Sequence, residues 1–255
     1  MPQLPNQDGL NISSNVLFHF TRSIDNLYNI LIRYFSPRFC PEYGLFENTS
    51  GHPERATAMI CFCDLPLFLI KKHLTFYGSY GIGLKKAWGI SKGITPVFYV
   101  HSKSQSLEPL NFLKSTARNR DDGNETSSDI DSFMYYSKPY EGRAWRDNRK
   151  TKKIIFYNER EWRYVPYLEN NEPPSLGFQR YRDKQFLEEK TRYLRGLHTL
   201  RFAPKDIEYI IVKKDSEILP MAHHIETIRG GKYTPKDKKL LVTKIMSVTR
   251  IWEDF

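Results

Sequence analysis

Residues 16–31 read VLFHFTRSIDNLYNIL. Val16 to Phe20 form a short apolar run of strand character behind a polar segment. From Ile24 the spacing changes: Ile24, Leu27, Ile30 and Leu31 fall on one face of a helix, and Ser23 stands where an N-cap belongs. A strand thus runs almost directly into a helix. At that junction His19 and Thr21, two residues apart, share a face of the strand. An imidazole and a hydroxyl so placed can hold vicinal sugar hydroxyls. A satisfied core histidine beside a threonine that starts a helix is the plainer reading of the same pair.

Working outward, residues 36–57 are rich in Pro, Gly and polar residues and predict a loop. TAMICFCDLP (57–66) is a compact apolar run stopped by proline, hence a buried strand. PLFLIKKHLTFYG (66–78) reads as a helix entered through Pro66, SYGIGLKKAWGISKG (79–93) as a glycine-punctuated strand or turn, and ITPVFYV (94–100) as a strand. The stretch STARNRDDGNETSSDIDS (115–132) has almost no apolar residues and predicts a flexible insertion. IIFYNEREWRYVPYL (154–168) has strand character, DKQFLEEKTRYLRGL (183–197) is helical, and IEYIIVKK (207–214) is a strand. Residues 219–255 mix both signals. Several short strands around two or three helices, without strict β-α alternation, predict an α+β class.

The chain carries 39 Lys and Arg against 29 Asp and Glu, a formal net charge of +10. Lys138 to Arg163 holds nine basic and four acidic residues, and Phe178 to Lys205 eight and three, so these two stretches account for the whole surplus. Either is a solvated charged face when taken alone; together they predict an anion-binding groove. Three cysteines without a CxxC pair argue against a disulfide framework. The start of the chain, a polar leader over residues 1–15, lacks the basic and apolar regions of a signal peptide, and no apolar run approaches a membrane span. The expectation is a cytoplasmic protein with no membrane partner.

The sharpest chemical feature is FYNEREWRYV (156–165). In an extended strand Glu159 and Glu161 share a face, roughly 6–7 Å apart, with Arg163 beside them. Two carboxylates that close raise one another's proton affinity, a device for acid–base or cation-stabilising work. A surface strand whose glutamates pair with Arg160, Arg163 or cross-strand lysines is the alternative. In TFYGSYGIGLKKAWG (75–89), Gly78, Gly81 and Gly83 allow a tight backbone beside a flat ligand, with Tyr77 or Tyr80 to stack on it; a hairpin with tyrosines over the core fits as well. The segment is neither a Walker loop nor a dinucleotide fingerprint. Cys61, Cys63 and His73 lack the usual zinc spacing, so no metal is expected.

In chain order, HFT, CFCDLP, YGIGLKKAWGI and EREWR resemble the AbiGi-type family of bacterial abortive-infection (phage-resistance) proteins, from about Phe18 to Ile228 and interrupted at 115–132. More distantly the pattern is similar to ADP-ribosyltransferases. That second resemblance implies one domain over 16–255, a split mixed or antiparallel sheet with flanking helices, and transfer of ADP-ribose from NAD onto a macromolecule. RNA or DNA is the acceptor that the basic stretches favour. It implies His19 and Thr21 on the ribose, Arg22 on the pyrophosphate, Tyr80 or Tyr77 on the nicotinamide, Glu161 as catalytic acid and Glu159 as its accessory. The family is labelled an antitoxin, which implies a non-catalytic regulator with a cognate toxin or operator as partner. A metal-independent ribonuclease using His19 and the glutamates is the third expectation.

Overall fold

The computed structural model describes residues 12–45, 52–118, 130–147, 149–168, 172–229 and 231–254. Most of the polar leader and the middle of the expected insertion lie outside these residues. The strands among them are β1 (Val16–Thr21), β2 (Arg38–Glu42), β3 (Arg55–Cys63), β4 (Tyr80–Lys85), β5 (Thr95–Pro96), β6 (Phe98–Val100), β7 (Ser137–Pro139), β8 (Glu141–Arg146), β9 (Arg149–Ile155), β10 (Glu161–Tyr164), β11 (Ser175–Gly177), β12 (Ile207–Val212) and β13 (Ile245–Ser247). The class is α+β. The chain forms two compact units, and it passes from one to the other inside β3.

The first unit takes residues 1–33, 62–91 and 202–255. Its strands run in the order β13, β12, β4, β1, followed by the end of β3, where Phe18 pairs with Cys63. All neighbours are antiparallel except β12 and β13, which are parallel. A parallel return needs a crossover, and helices Ile218–Thr227 and Pro235–Val242 supply it. The expected strand-to-helix junction is present: helix Ile24–Arg33 follows β1, and Ser23 Oγ accepts from the backbone N–H of Asp25 at 3.1 Å. Leu27 and Leu31, four residues apart, are its fully buried positions. On one face of β1, Val16, Phe18 and Phe20 pack with Leu65, Ile70, Leu74, Ile211 and Ile251.

The glycines of β4 have a packing role. Phe18 lies across from Gly83 and Phe20 across from Gly81. A Cβ on Gly81 would sit 2.6 Å from the Phe20 ring, and one on Gly83 2.8 Å from the Phe18 ring. The two rings stack with centroids 5.7 Å apart. At Gly78, φ is 121° and a Cβ would fall 2.2 Å from the Thr21 carbonyl oxygen, so backbone approaches backbone there. This turn and the two rings account for all three glycines.

The second unit takes residues 34–61 and 92–201. Residues 36–57, expected to be a loop, include β2, which pairs antiparallel with β3 from Arg38↔Met59 to Glu42↔Arg55. Pro41 within β2 hid it, because proline inside a run demotes a strand reading. β11 also pairs with β3, β10 with β5, β6 with β7, and β8 with β9. The start of the expected insertion is ordered: residues 115–118 close helix Leu107–Arg118. The predicted helix spans Lys184–Leu197, with Asp183 capping the N–H of Phe186.

Gly83→Ala is expected to force the Phe18 ring out of its place, at about 1–3 kcal/mol, and so to lower the melting temperature by several degrees. Gly196→Ala, on the open side of its helix with nothing within 4 Å of the new Cβ, is expected to raise stability by ~0.4–1 kcal/mol. Thermal melts of the two variants check both signs.

Candidate functional site

The residues expected to form one site belong to both units. In the first unit, His19 is half-buried on β1 opposite Ile82, with its ring edge-on to Phe62 at 5.7 Å. Thr21 is buried, and its hydroxyl accepts from Asn26 Nδ2 at 2.9 Å. Arg22 is exposed at the end of the strand. Tyr80 stands directly across from Thr21, but its hydroxyl donates to Glu217 Oε1 at 2.8 Å. Burial and that carboxylate push the Tyr80 phenol up to about 12. Tyr77 stacks on His73 at 4.3 Å and packs against the Phe18–Phe20 core. Both tyrosines therefore have structural partners.

Glu159 and Glu161 are in the second unit, and their geometry differs from the expected one. They do not share a strand. Phe156–Glu159 is a 3-10 turn, Arg160 follows in the left-handed conformation (φ 47°, ψ 47°), and β10 begins only at Glu161. The reversal nonetheless aims both carboxylates at one point, the ammonium of Lys138. Lys138 Nζ lies 2.6 Å from Glu159 Oε2 and 2.7 Å from Glu161 Oε2. The expected alternation does hold from Glu161 to Arg163 on β10: Arg163 Nε donates to Glu161 Oε1 at 2.6 Å. Arg163 Nη2 also donates to Glu42 Oε1 at 2.6 Å, and Nη1 to the Tyr135 carbonyl at 2.9 Å. Pairing with arginine and lysine was the alternative read from the sequence, but there on a surface strand. Here the cluster is internal, with Arg163 only 1% exposed.

Three carboxylates and two cations thus meet in a buried place, leaving one negative charge in excess. Burial alone would push the Glu161 carboxyl up. The charges of Arg163 and Lys138 outweigh it and hold that carboxyl well below the usual carboxylate range. The Glu161 peptide is fixed as well: its N–H donates to the Tyr99 hydroxyl at 2.8 Å, and its carbonyl accepts from Val97 at 2.9 Å. Burial and the Glu161 charge raise the Tyr99 phenol in turn. Among the described residues, one cleft bordering the cluster, between Glu42, Arg55, Thr57, Tyr135 and Ser137, has a volume of about 10 Å³, room for a single water. A nucleotide needs a pocket of at least ~300 Å³, so this cleft by itself does not take one.

Lys138 and Glu42 were missed in the sequence reading. Lys138 was counted only as one of nine basic residues, and Glu42 lay in the stretch taken for a loop. Neither carries a spacing signal, because their partners are 21 to 121 residues away. The cysteines behave as expected of small strand residues: the neighbouring Cys40 thiol and burial push Cys61 well up, keeping it protonated. Among the described residues no group of three or more His, Cys, Asp or Glu is arranged to hold a metal ion, and no helix is long and apolar enough to cross a membrane.

The segments that carry these charges match a known family. Residues 33–213 match the family model described as "Putative abortive phage resistance protein AbiGi, antitoxin". The chain belongs to the AbiGi family. It is 30% identical over 253 residues to the abortive phage resistance protein AbiGi of Lactococcus lactis subsp. cremoris, across 87% of this chain and 99% of that protein. No solved structure matches the chain.

Removing one cation from a buried ion cluster strands its partners. Arg163→Met is expected to destabilise by ~3–5 kcal/mol, and Glu161→Gln by less, because Arg163 keeps Glu42 and Lys138 keeps Glu159. Glu161 holds its proton less tightly when folded than when unfolded. Its contribution is therefore complete above an unfolded pKa of about 4.3 and is lost as pH falls below that value. Melting temperatures from pH 7 down to 3 should fall less steeply for Glu161→Gln than for the wild type.

Proposed function

We propose that this chain is the non-catalytic half of an abortive-infection pair, an antitoxin that acts by binding and restraining a cognate toxin. The observation that carries the reading is the state of Glu161. An ADP-ribosyl transfer needs a carboxylate turned towards a sugar, where it stabilises the oxocarbenium-like cation as it forms. Both oxygens of Glu161 are instead bonded to Arg163 and Lys138, inside a cluster bordered by space for one water. Presenting that carboxylate to NAD would require breaking two charge-assisted bonds in a buried setting. The AbiGi family description, which carries the word antitoxin, supports the same reading.

A regulator of this kind needs rigidity more than a cleft. Binding partners that are already ordered avoid the cost of fixing side chains on association, and the ion cluster fixes the second unit internally. The reading makes expression of the chain alone harmless to a bacterial host, with Glu161→Gln indistinguishable from the wild type. Incubation with labelled NAD, nucleic acid and host lysate should give no transfer of label. Growth arrest, or labelling that Glu161→Gln abolishes, would return the chain to the enzymes.

A further inference from the structure

The strands β8 and β9 form a two-stranded sheet of their own. Within Glu141–Ile155 the sequence places Arg143, Arg146, Arg149, Lys150, Lys152 and Lys153 against Glu141 and Asp147, a surplus of four positive charges. Arg143, Arg149, Lys150, Lys152 and Lys153 are all exposed. The register adds what composition cannot show. Arg143 lies directly across from Lys153, and Arg146 directly across from Arg149. Like charges directly opposite destabilise a strand pair, and this ribbon has two such pairs. The salt bridge from Lys153 to Glu141 at 2.6 Å relieves part of the first pair.

The ribbon is nevertheless anchored. The Trp145 ring stands edge-on to Phe178 at 5.4 Å, Gly142 lies against Phe156, and Lys150 sits over the Tyr43 ring at 5.3 Å. A rigid, self-repelling row of cations gains most from an extended polyanion. We propose that the β8–β9 ribbon is a nucleic-acid-binding element that grips the phosphate backbone of DNA or RNA. This goes beyond the antitoxin reading and does not depend on it.

The shape suits the ligand. Six residues of extended chain span about 20 Å, and a two-stranded ribbon fits the major groove of a duplex. On the face away from Trp145, Arg149 and Lys153 stand four residues apart on β9, roughly 13 Å, with Arg146 and Arg143 across from them, so that face can meet phosphates about two steps apart. An acidic protein fits less well. A stable protein interface has an apolar or aromatic centre, whereas the one large apolar side chain exposed on the ribbon is Ile155, at its root. Trp145, the natural anchor, is already engaged with Phe178.

The test is fluorescence anisotropy of the full chain with a labelled DNA duplex and, separately, a labelled single-stranded RNA, across a salt series. The ribbon variant is Arg143→Ala/Arg149→Ala/Lys150→Ala/Lys152→Ala. A control variant with the same charge change is Lys205→Ala/Lys213→Ala/Lys236→Ala/Lys239→Ala, whose lysines are exposed in the other unit. Wild type is expected to bind at low salt, and the ribbon variant to bind at least about tenfold more weakly. The slope of log affinity against log salt should be shallower by about 3.6 on duplex DNA or about 2.8 on the single strand, because four phosphates are no longer neutralised in either case. The control should stay within about twofold of wild type on affinity. The substitutions remove like-charge pairs and also the Lys150–Tyr43 contact, effects of opposite sign, so a cooperative melt within a few degrees of wild type is expected, which separates weakened binding from failed folding. Equal losses of affinity in the two variants would reduce the effect to net charge and overturn the proposal. So would an absence of wild-type binding to both ligands, or capture of an acidic protein alone.

Discussion

Lys138 holds together two carboxylates that cannot otherwise share a buried site. Glu159 and Glu161 both bond to its ammonium, and without it one of them would have to take up a proton. Everything around them follows from that requirement. The reversal at Arg160 brings the second carboxylate round, the following strand brings Arg163 to the far oxygen, and Glu42 accepts the remaining guanidinium edge. The cluster joins β2, β7, the 3-10 turn and β10, drawing Glu42 and Lys138 from stretches far from EREWR in the chain. A cluster like this adds little net stability over an apolar core of the same volume, but it makes wrong arrangements expensive, since any one of them leaves a charge unpaired.

The first unit uses the same device on a smaller scale. Asp64, only 3% exposed, accepts from the Ser13 hydroxyl, the Ser14 backbone and the Lys86 ammonium at 2.7–2.9 Å. Asp64 is the acid of CFCDLP, and Lys86 one of the two lysines of YGIGLKKAWGI. Two stretches that stood out in the sequence are thus tied to each other, and EREWR is tied to Lys138 and Glu42. Such motifs invite a catalytic reading because they combine charges with apolar strands. Here the charges are consumed in holding strands to their neighbours.

Local pattern was legible and long-range pairing was not. The junction after β1 could be read because a two-residue period gives way to a helical one, with a serine at the change. The helix at Lys184–Leu197 was visible through its apolar spacing and Asp183. β2 could not be seen, since Pro41 and a polar neighbourhood mimic a loop, and the pairing that makes it a strand comes from β3. For Glu159 and Glu161 the sequence showed that two carboxylates lie close, yet it placed them on one strand. Nothing in single-sequence periodicity announces a left-handed arginine between them, because only the surrounding structure stabilises that conformation. His19 and Thr21 lie on β1 and Tyr80 on the neighbouring β4, but a phenol bonded to Glu217 and a threonine bonded to Asn26 answer to local partners.

The charge surplus divides along the same line. Of the nine basic residues between Lys138 and Arg163, the two at the ends of the stretch are buried and balanced by glutamates, while most of those between them crowd onto an exposed ribbon. A balanced charge inside is spent on architecture and offers nothing to a ligand. A surplus of one sign outside lowers stability unless something neutralises it, and that is the ground of the nucleic-acid proposal. On the proposed reading the residues expected to be catalytic belong to the frame, and the basic stretch read as part of an anion-binding groove keeps its exposed portion for recognition. The physical distinction is whether charges of both signs are buried together or one sign is left in surplus at the surface, and that is decided by tertiary structure alone.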